Sequence, residues 1–198
     1  MKKAIIGYGG FAKEVYYSLD QFQRIGLKFF VDDLWYDPKN LDCLPLSEFD
    51  PLEYEVVVAV GNPLDRMSIV SRMPENTRYF THVHPTAQIL GDVEIGEGSI
   101  ICAGVILTTN IKIGKHAHLN LQTTIGHDTQ IGNYLTTAPG AKISGNCTIG
   151  NYFYLGTNAS VREKITITNN VTVGLNSGVV KDIDSEGTYV GVPAKKIK

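Results

Sequence analysis

Two adjacent residues, His127 and Asp128, lie between two Ile-Gly pairs in the stretch TTIGHDTQIGNY, residues 123–134. Histidine exchanges a proton near neutral pH, and a carboxylate beside it can orient its ring or stabilise its charged form, so the pair suits general base chemistry. Adjacent side chains diverge in helices and strands, so a shared site for both requires a turn. The same pair is also compatible with a solvent-exposed turn that has no catalytic role.

A period of six residues organises the chain from Val83 to Asp184. Stepping by six from Val83 to Val179 gives seventeen positions, of which sixteen are Ile, Leu or Val and one is Thr137. A second series, four residues later, is mostly small or apolar and includes Cys147. Neither a helix nor an alternating strand has this period. Three hexads make one triangular coil, so the repeat predicts a parallel β-helix of about five and two-thirds coils, roughly 27 Å long at about 4.8 Å per coil.

This repeat explains how His127 and Asp128 could share a site. They are the third and fourth residues of the hexad that begins at Ile125, so both lie at a corner of the prism. Gly145 follows His127 by eighteen residues, one coil further along. A glycine stacked on the histidine leaves backbone exposed and gives room for a ligand.

The first eighty residues have a different pattern. KKAIIGYGGFAKEV predicts a strand, a Gly-rich turn and a helix, with Gly7, Gly9 and Ala12 in the G-x-G-x-x-G/A pattern and Asp32 about twenty residues later. The spacing of Val15, Leu19 and Phe22 predicts a first helix, EVVVAVG a further strand, and residues 62–73 a second helix. So short a segment can hold one nucleotide or nucleotide sugar and is half of a dinucleotide domain, which disfavours NAD; a purely structural turn stays open. We therefore predict residues 1–80 as a small Rossmann-like domain, and residues 81–198 as a rigidly attached β-helix with a C-terminal tail.

Composition excludes several classes of function. The 198 residues carry a formal net charge of −2, which gives no electrostatic case for nucleic acid or an anionic membrane surface. The apolar runs fall short of the roughly 20 residues that a membrane span needs. The three cysteines have no metal-binding or redox spacing, so we expect reduced thiols and a cytoplasmic protein.

The combination of motifs is more specific than either half of the chain. IIGYGGFAKEV, FVDD, VAVGN, the hexads, IGHDTQIG and YVGVPAKKIK together resemble the bacterial sugar acetyltransferases of surface-glycan synthesis. That family includes UDP-4-amino-sugar N-acetyltransferases and sialic acid O-acetyltransferases. The resemblance covers the whole chain. It implies a left-handed β-helix, a homotrimer with active sites between subunits, a nucleotide-sugar site in the N-terminal domain, and acetyl-CoA in the groove between adjacent β-helices, without a metal.

The resemblance also implies roles for individual residues. His127 would be the general base, Asp128 its acidic neighbour, Asn120 a polar group near the acceptor, and the Gly145 amide a donor to the thioester carbonyl. The implied substrate-binding residues are Gly7, Gly9, Gly10, Phe11, Asp32, Asp33, Gly61 and Asn62. Lys195 and Lys196 would meet the CoA phosphates, although a solvated tail is an equally good interpretation.

Phe11 is a departure from part of this family. Many of its amino-sugar N-acetyltransferases carry histidine at this place in the Gly-rich turn, whereas phenylalanine also occurs in the O-acetyltransferase branch. N-acetylation of a 4-amino-6-deoxy sugar is the leading prediction. O-acetylation of sialic acid or a related sugar is the alternative, and a non-catalytic trimeric nucleotide-sugar-binding protein is a third.

A zinc enzyme is a further alternative, because some β-helices of this type hold zinc between three histidines at a subunit interface. The five histidines are His82, His84, His116, His118 and His127. His82 and His118 share a phase in the repeat but lie two coils apart, about 9.6 Å, which is too far for one zinc ion with ligands near 2.0 Å. We expect His116 and His118 to be turn and surface groups instead.

Overall fold

The structure, a computed structural model, describes residues 1–40 and 42–198. Its N-terminal part is a five-stranded parallel sheet in the order β3-β2-β1-β4-β5. The elements are β1 (Lys2–Ile6), α1 (Gly10–Ser18), β2 (Lys28–Val31), β3 (Cys43–Pro45), β4 (Tyr54–Val58), α2 (Pro63–Arg72) and β5 (Arg78–Tyr79), with short 3-10 helices at Asp33–Trp35 and Leu46–Glu48.

Strands β1 and β4 are buried at the centre of this sheet, which explains their nearly continuous apolar sequences. One face packs Ile5 and Val57 against Val15 of α1, and the other packs Phe30 and Val58 against Ile69 of α2. The chain order reverses between β1 and β4. Ligands of open parallel sheets bind outside the carboxyl ends of the strands at such a reversal.

The second helix is close to its predicted position, whereas the first is shorter than predicted. Helix α1 ends at Ser18, and Phe22 lies beyond it with 74% of its surface exposed. The Asp20 carboxylate accepts hydrogen bonds from the backbone N–H groups of Phe22 and Gln23, which holds a turn where the periodicity predicted another helical turn.

The rest of the chain forms a three-sided parallel β-helix. Its strands are β6 (His82–Val83), β7 (Gln88–Ile95), β8 (Ile100–Ile101), β9 (Ile106–Ile113), β10 (His118–Leu119), β11 (Thr124–Ile125), β12 (Gln130–Ile131), β13 (Thr136–Thr137), β14 (Lys142–Ile143), β15 (Thr148–Ile149), β16 (Tyr154–Leu155), β17 (Ser160–Val161), β18 (Thr166–Ile167), β19 (Val171–Val173), β20 (Gly178–Val179), β21 (Gly187–Val190) and β22 (Lys195–Lys196). Paired residues from β6 to β20 are eighteen apart, as His118 and Thr136 are, whereas β19 and β21 pair sixteen apart and β22 runs antiparallel to β21. The predicted β-helix fold is confirmed.

Three faces follow from this pairing. The first face contains β6, β8, β10, β13, β16 and β19; the second contains β11, β14, β17 and β20; the third contains β12, β15 and β18. Strands β7 and β9 run across the second and third faces. We name the corners by their residues: the histidine edge (126–128 and its coil neighbours) joins the second and third faces, the asparagine edge (120–122) joins the first and second, and the aromatic edge (132–134) joins the third and first.

Every corner from Asp92 to Asn176 has one residue in the left-handed conformation. These residues recur every six positions, with φ between +48° and +73°; twelve of them are not glycine. Asn and Asp tolerate this conformation better than most residues and account for seven of the twelve. Side chains at these corners point out of the prism while the aliphatic series fills it.

The aliphatic series is buried from Ile101 to Val179, but its first members are not. Val83 and Ile89 keep 41% and 40% of their surfaces exposed. They belong to the first coil, which has no preceding coil to cover it, so the repeat in the sequence extends further than the buried core. Thr137, the one polar member, is fully buried, and its Oγ1 lies 2.8 Å from Thr123 Oγ1.

Arg66 of α2 attaches the N-terminal part to the first face. Its guanidinium is fully buried and donates to the carbonyl oxygens of Val60 and Gly61 on one side, and to backbone carbonyls of the β-helix on the other. His118 completes the junction, because its Nδ1 lies 3.1 Å from Arg66 Nη1 and its Nε2 lies 2.9 Å from Val58 O.

The prediction that His116 and His118 are surface groups is therefore wrong. They are 3% and 1% exposed, because the N-terminal part covers the face on which they lie. His116 stacks on Tyr134 and meets the edge of Tyr79.

Candidate active site

His127 and Asp128 do meet at a corner. His127 Nδ1 lies 2.7 Å from Asp128 Oδ2, and both side chains are about half exposed. Asp128 has a φ of +58°, and this left-handed turn lets adjacent side chains face each other. Because the carboxylate can only accept, the Nδ1 nitrogen carries the proton, which leaves the Nε2 lone pair available to a substrate.

Asn110 extends this pair into a chain of three groups. Its Nδ2 donates to Asp128 Oδ1 at 2.6 Å, from one coil earlier on the same edge. The bonds from Asn110 and His127 lower the pKa of Asp128 below its ordinary value, so the carboxylate stays ionised beside the imidazole. The sequence analysis missed Asn110, although stepping back eighteen residues from Asp128 finds it.

Gly145 lies directly against the imidazole ring, as the eighteen-residue step predicted. A Cβ atom at this position would lie 2.9 Å from His127 Nε2 and 3.0 Å from Cε1. On the aromatic edge, the N–H groups of Lys115, Asn133 and Asn151 are each capped by an asparagine side chain from the next coil. Gly145 has no side chain to cap the N–H of His127, and within the described ranges neither that N–H nor the Gly145 N–H has an acceptor.

Asn120 lies apart from the His127 group, in a cleft of about 290 Å³ between α1 and the first face. We call it the acceptor cleft. Phe11 and Glu14 of α1 line it on one side, and Asn120 and Thr157 on the other. Thr137 Oγ1 accepts from the Asn120 backbone N–H at 3.1 Å, so the single departure from the aliphatic series positions the turn that carries Asn120.

A larger cleft of about 560 Å³ opens at the carboxyl ends of β1 and β4. We call it the nucleotide cleft, after the ligand that the sequence predicts for its glycine-rich turn. Gly7, Gly9, Gly10, Phe11, Asp32 and Gly61 line it, as expected from the sequence. Gly7 has a φ of +110°, and a Cβ there would lie 3.1 Å from the Ala59 carbonyl oxygen, so glycine is required. Helix α1 starts with Gly9 as its N-cap and no side-chain cap, which leaves N–H groups free for a phosphate.

Two predicted contacts lie elsewhere. Asp33 does not line this cleft, because its carboxylate accepts from the backbone and hydroxyl of Ser47. Asn62 caps α2, with its Oδ1 accepting from the N–H groups of Leu64 and Asp65. In this structure the Asp33 carboxylate therefore holds Ser47, fourteen residues away, and the Asn62 side chain caps α2; their contact with a substrate stays a prediction.

The sequence analysis also missed one wall of the nucleotide cleft. Asp65, Ser68 and Arg72 follow one another on the same face of α2 and line it, and Arg72 donates to the Asp32 carboxylate and lowers its pKa. Trp35 lines the rim with 82% of its surface exposed. The i, i+3, i+7 spacing of the helix residues was the available signal.

A further cavity of about 300 Å³ lies at the C-terminal end of the histidine edge. Lys195 and Lys181 line it. Lys181 follows His127 by 54 residues, or three coils, so the cavity is about 14 Å along the edge from the imidazole. Lys196 is exposed and does not line the cavity.

One chain does not bring all of these residues together. The nucleotide and acceptor clefts share Phe11 and Gly61 and form one continuous region beside the first face. His127, Gly145 and the C-terminal cavity lie on the histidine edge, across the second face from Asn120. Each chain therefore presents two parts of a site on two different edges.

No three His, Cys, Asp or Glu side chains cluster as metal ligands in the described part of the chain. Its helices are also too short or too polar to cross a membrane.

The sequence and structure of the chain are similar to those of known proteins. The PglD N-terminal domain family matches residues 2–73. GDP-perosamine N-acetyltransferase of Escherichia coli O157:H7 is 31% identical over 153 residues, which are 71% of this chain and 69% of that protein.

Two solved structures cover both parts of the chain. The acetyltransferase domain of PglB from Neisseria gonorrhoeae, in complex with acetyl coenzyme A, is 27% identical and covers 99% of each chain with a TM-score of 0.86. PerB from Caulobacter crescentus, in complex with CoA and GDP-perosamine, is 26% identical and covers 100% of this chain and 98% of its own, with a TM-score of 0.84. The chain belongs to the family of bacterial sugar acetyltransferases that these proteins represent.

Proposed function

We propose that the protein transfers the acetyl group of acetyl-CoA to the 4-amino group of a nucleotide-linked 4-amino-6-deoxy sugar, for bacterial surface-glycan synthesis in the cytoplasm. The observation that carries the proposal is the exposed His127 imidazole, oriented by Asp128 and lying against the uncapped N–H of Gly145. A related protein named GDP-perosamine N-acetyltransferase, aligned over 71% of the chain, supports the choice of an amine.

The proposed reaction is direct transfer. The acceptor nitrogen attacks the thioester carbonyl carbon, and its proton passes to His127 Nε2 as the new C–N bond forms. The carbonyl electrons move to oxygen, where the Gly145 N–H donates to the oxyanion; one such donor typically contributes about 3 kcal/mol. When the carbonyl re-forms, the C–S bond breaks and the CoA sulfur takes the proton. Asp128 stabilises the imidazolium between the two steps.

Acetyl-CoA would lie along the histidine edge. The thioester would be at Gly145, and the chain of the cofactor would extend toward the cavity lined by Lys181 and Lys195. Those two ammonium groups suit the CoA phosphates. Lys196 stays a weaker candidate because it lies outside that cavity.

The division of the site between two edges favours a homotrimer. In a threefold arrangement, the histidine edge of one subunit would face the asparagine edge of the next, and the acceptor cleft would come opposite His127. Each active site would then need two subunits, with residues 1–80 acting as the nucleotide-sugar domain and residues 81–198 as the transferase domain.

The nucleotide cleft offers Trp35 for stacking and the Asp32–Arg72 pair with Asp65 for polar contacts to a base. Aromatic stacking of a base is worth about 1–3 kcal/mol. GDP-linked sugars are the first to test, since a related protein was solved with GDP-perosamine. UDP-linked sugars follow.

The test is CoA release measured with a thiol reagent. GDP-, UDP- and dTDP-linked 4-amino-6-deoxy sugars, sialic acid and CMP-sialic acid would each be offered to the wild type, His127→Ala and Thr148→Ala. Thr148 is exposed on the neighbouring third face and serves as the control. We expect turnover on an amino sugar, at least a hundredfold loss in His127→Ala, and a change below twofold in Thr148→Ala.

The other outcomes each select a different function. Turnover on sialic acids alone would move the protein to O-acetylation, and near-normal turnover of His127→Ala would refute the base. Tight nucleotide-sugar binding with no CoA release from any acceptor would favour a binding protein.

A further inference from the structure

Glu14 of helix α1 lines the acceptor cleft and also borders a smaller cavity beside Cys102. Phe11 and Glu14 are three residues apart and therefore lie on one side of the helix, while Ala12 and Val15 turn inward to the core. Both Phe11 and Glu14 line the cleft opposite Asn120. The Phe11 ring packs at a tilt against His118, with 5.1 Å between ring centroids.

Glu14 has no partner within the described part of the chain. It is exposed and takes part in no salt bridge or side-chain hydrogen bond. Several other glutamates of this protein, by contrast, form salt bridges with lysines. Lys13, the adjacent cation, lies over the Tyr8 ring instead. A ligand can therefore reach the Glu14 carboxylate without displacing an internal cation.

The rest of the cleft is neutral. Its other walls are glycine, alanine, proline, hydroxyl, amide and aromatic groups, together with His118. Burial and the neighbouring Arg66 charge hold the pKa of His118 well below its ordinary value, so that ring is uncharged. The Arg66 guanidinium lies behind this wall, fully buried and bonded to Thr136 Oγ1. Glu14 is thus the charged residue among those that line the cleft, and its charge is negative.

We infer that Glu14 binds the acceptor as a cation and selects an amino sugar over its hydroxyl counterpart. This inference rests on the proposed function and names the group that recognises the substrate amine. Primary amines are mostly protonated at neutral pH, so the acceptor arrives as an ammonium ion that a carboxylate bonds strongly. Before attack this ion releases one proton to solvent, and the neutral amine then passes its second proton to His127 as the C–N bond forms. Phe11, which has no hydrogen-bonding group, cannot supply that contact. A 4-hydroxyl sugar offers no charge and gains little from Glu14.

Equilibrium binding tests this without any turnover. Isothermal titration would give Kd for four ligands: GDP-perosamine, the GDP-linked 6-deoxy sugar with a hydroxyl at C4, and the same pair linked to UDP. The proteins would be the wild type, Glu14→Gln, Glu14→Asp and Glu48→Gln. Glu48 is an exposed glutamate of the N-terminal part that lines neither cleft.

We expect the wild type to prefer the amino sugar by about tenfold or more, and Glu14→Gln to remove that preference. The hydroxyl sugar should bind Glu14→Gln within twofold of the wild type, Glu14→Asp should retain part of the preference, and Glu48→Gln should match the wild type. Added salt should weaken amino-sugar binding to the wild type more than to Glu14→Gln.

Three results would overturn the inference: no preference for the amine in the wild type, an equal loss for both sugars in Glu14→Gln, or an unchanged preference in that variant. The transferase proposal fails separately. A wild type that binds the amino sugar through Glu14 but releases no CoA would retain the inference and refute the activity.

Discussion

At the residue scale, the geometry of the His127–Asp128 pair depends on the backbone conformation of one residue, Asp128. Asp128 faces its own neighbour because a left-handed corner replaces the alternation of a strand. The eighteen-residue step predicted that Gly145 would lie against His127, and this is correct. The same step applied to Asp128 would have found Asn110. The hydrogen bonds among these groups could not be predicted, because they depend on side-chain orientation at the corner.

Gly145→Ala should lower turnover about tenfold or more, with the coil intact. The new Cβ would lie within about 3 Å of the His127 ring, so the imidazole must move away from its orientation toward Asp128. CoA release, with thermal unfolding as the fold check, measures the effect.

Gly91→Ala is the matched control for that variant. Gly91 occupies the same corner position two coils before His127, and a Cβ there would meet nothing closer than 4.0 Å. It should keep activity within twofold. Equal losses in the two variants would mean that glycine at this edge serves the coil and not the imidazole.

At the element scale, the six-residue period was sufficient to predict the β-helix, because one local rule repeats and each coil contacts only its neighbours. The period could not show where the buried core begins. Val83 and Ile89 belong to the six-residue pattern, but they are exposed because they lie in the first coil. It also could not predict the burial of His116 and His118. They occupy outward positions of the repeat, and they are buried only because another part of the chain packs over the first face.

Stability should fall as the pH drops from about 6.5 toward 4. Burial lowers the pKa of both His82 and His116 to about 4, and it holds the pKa of His118 well below its ordinary value. The unfolded chain takes up these protons below about pH 6.5 whereas the folded chain does not, so the free energy of unfolding decreases by about 1.4 kcal/mol per pH unit for each histidine. Urea unfolding between pH 7 and pH 5 measures the slope.

His116→Phe should reduce that slope by about a third. Phenylalanine retains an aromatic ring for the stack on Tyr134 and removes a nitrogen, Nδ1, that is buried without a hydrogen-bond partner among the residues that the structure describes. A slope equal to that of the wild type would show that His116 does not contribute to the pH dependence, whatever the change in absolute stability.

At the scale of the whole molecule, one buried guanidinium joins the N-terminal sheet to the β-helix. No carboxylate in residues 1–40 and 42–198 forms a salt bridge with Arg66, and burial lowers the pKa of Arg66 to about 9. Its five N–H donors satisfy acceptors on both sides of the junction, including the Gly61 carbonyl at the cleft. Sequence reasoning predicted that the two parts pack rigidly, but it gave no sign of this residue, since its partners follow by 50–70 positions.

Arg66→Lys should separate the unfolding of the two parts. Lysine has three donors in a different geometry, so several buried carbonyls would lose their partners at about 1–3 kcal/mol each. Calorimetry should show one transition in the wild type and an earlier, separate transition of the N-terminal part in the variant. Arg72→Lys, on the exposed face of the same helix, should keep one transition. A single, unshifted transition in Arg66→Lys would contradict this account of the junction.

The eighteen-residue coil also fixes distances along the edges of the β-helix. On the second face, β11, β14, β17 and β20 each pair with residues eighteen positions away, so the distance between His127 and the lysine-lined cavity is a whole number of coil heights. Removing or adding one coil between them would change that reach by about 4.8 Å and leave every side chain on its face. Adding a single residue would instead move the inward-facing side chains of the following strand to its outer surface, and the outward-facing ones to its inner surface. In the proposed placement of acetyl-CoA, the distance between the base and the lysines that would meet its phosphates can therefore change only in steps of one coil.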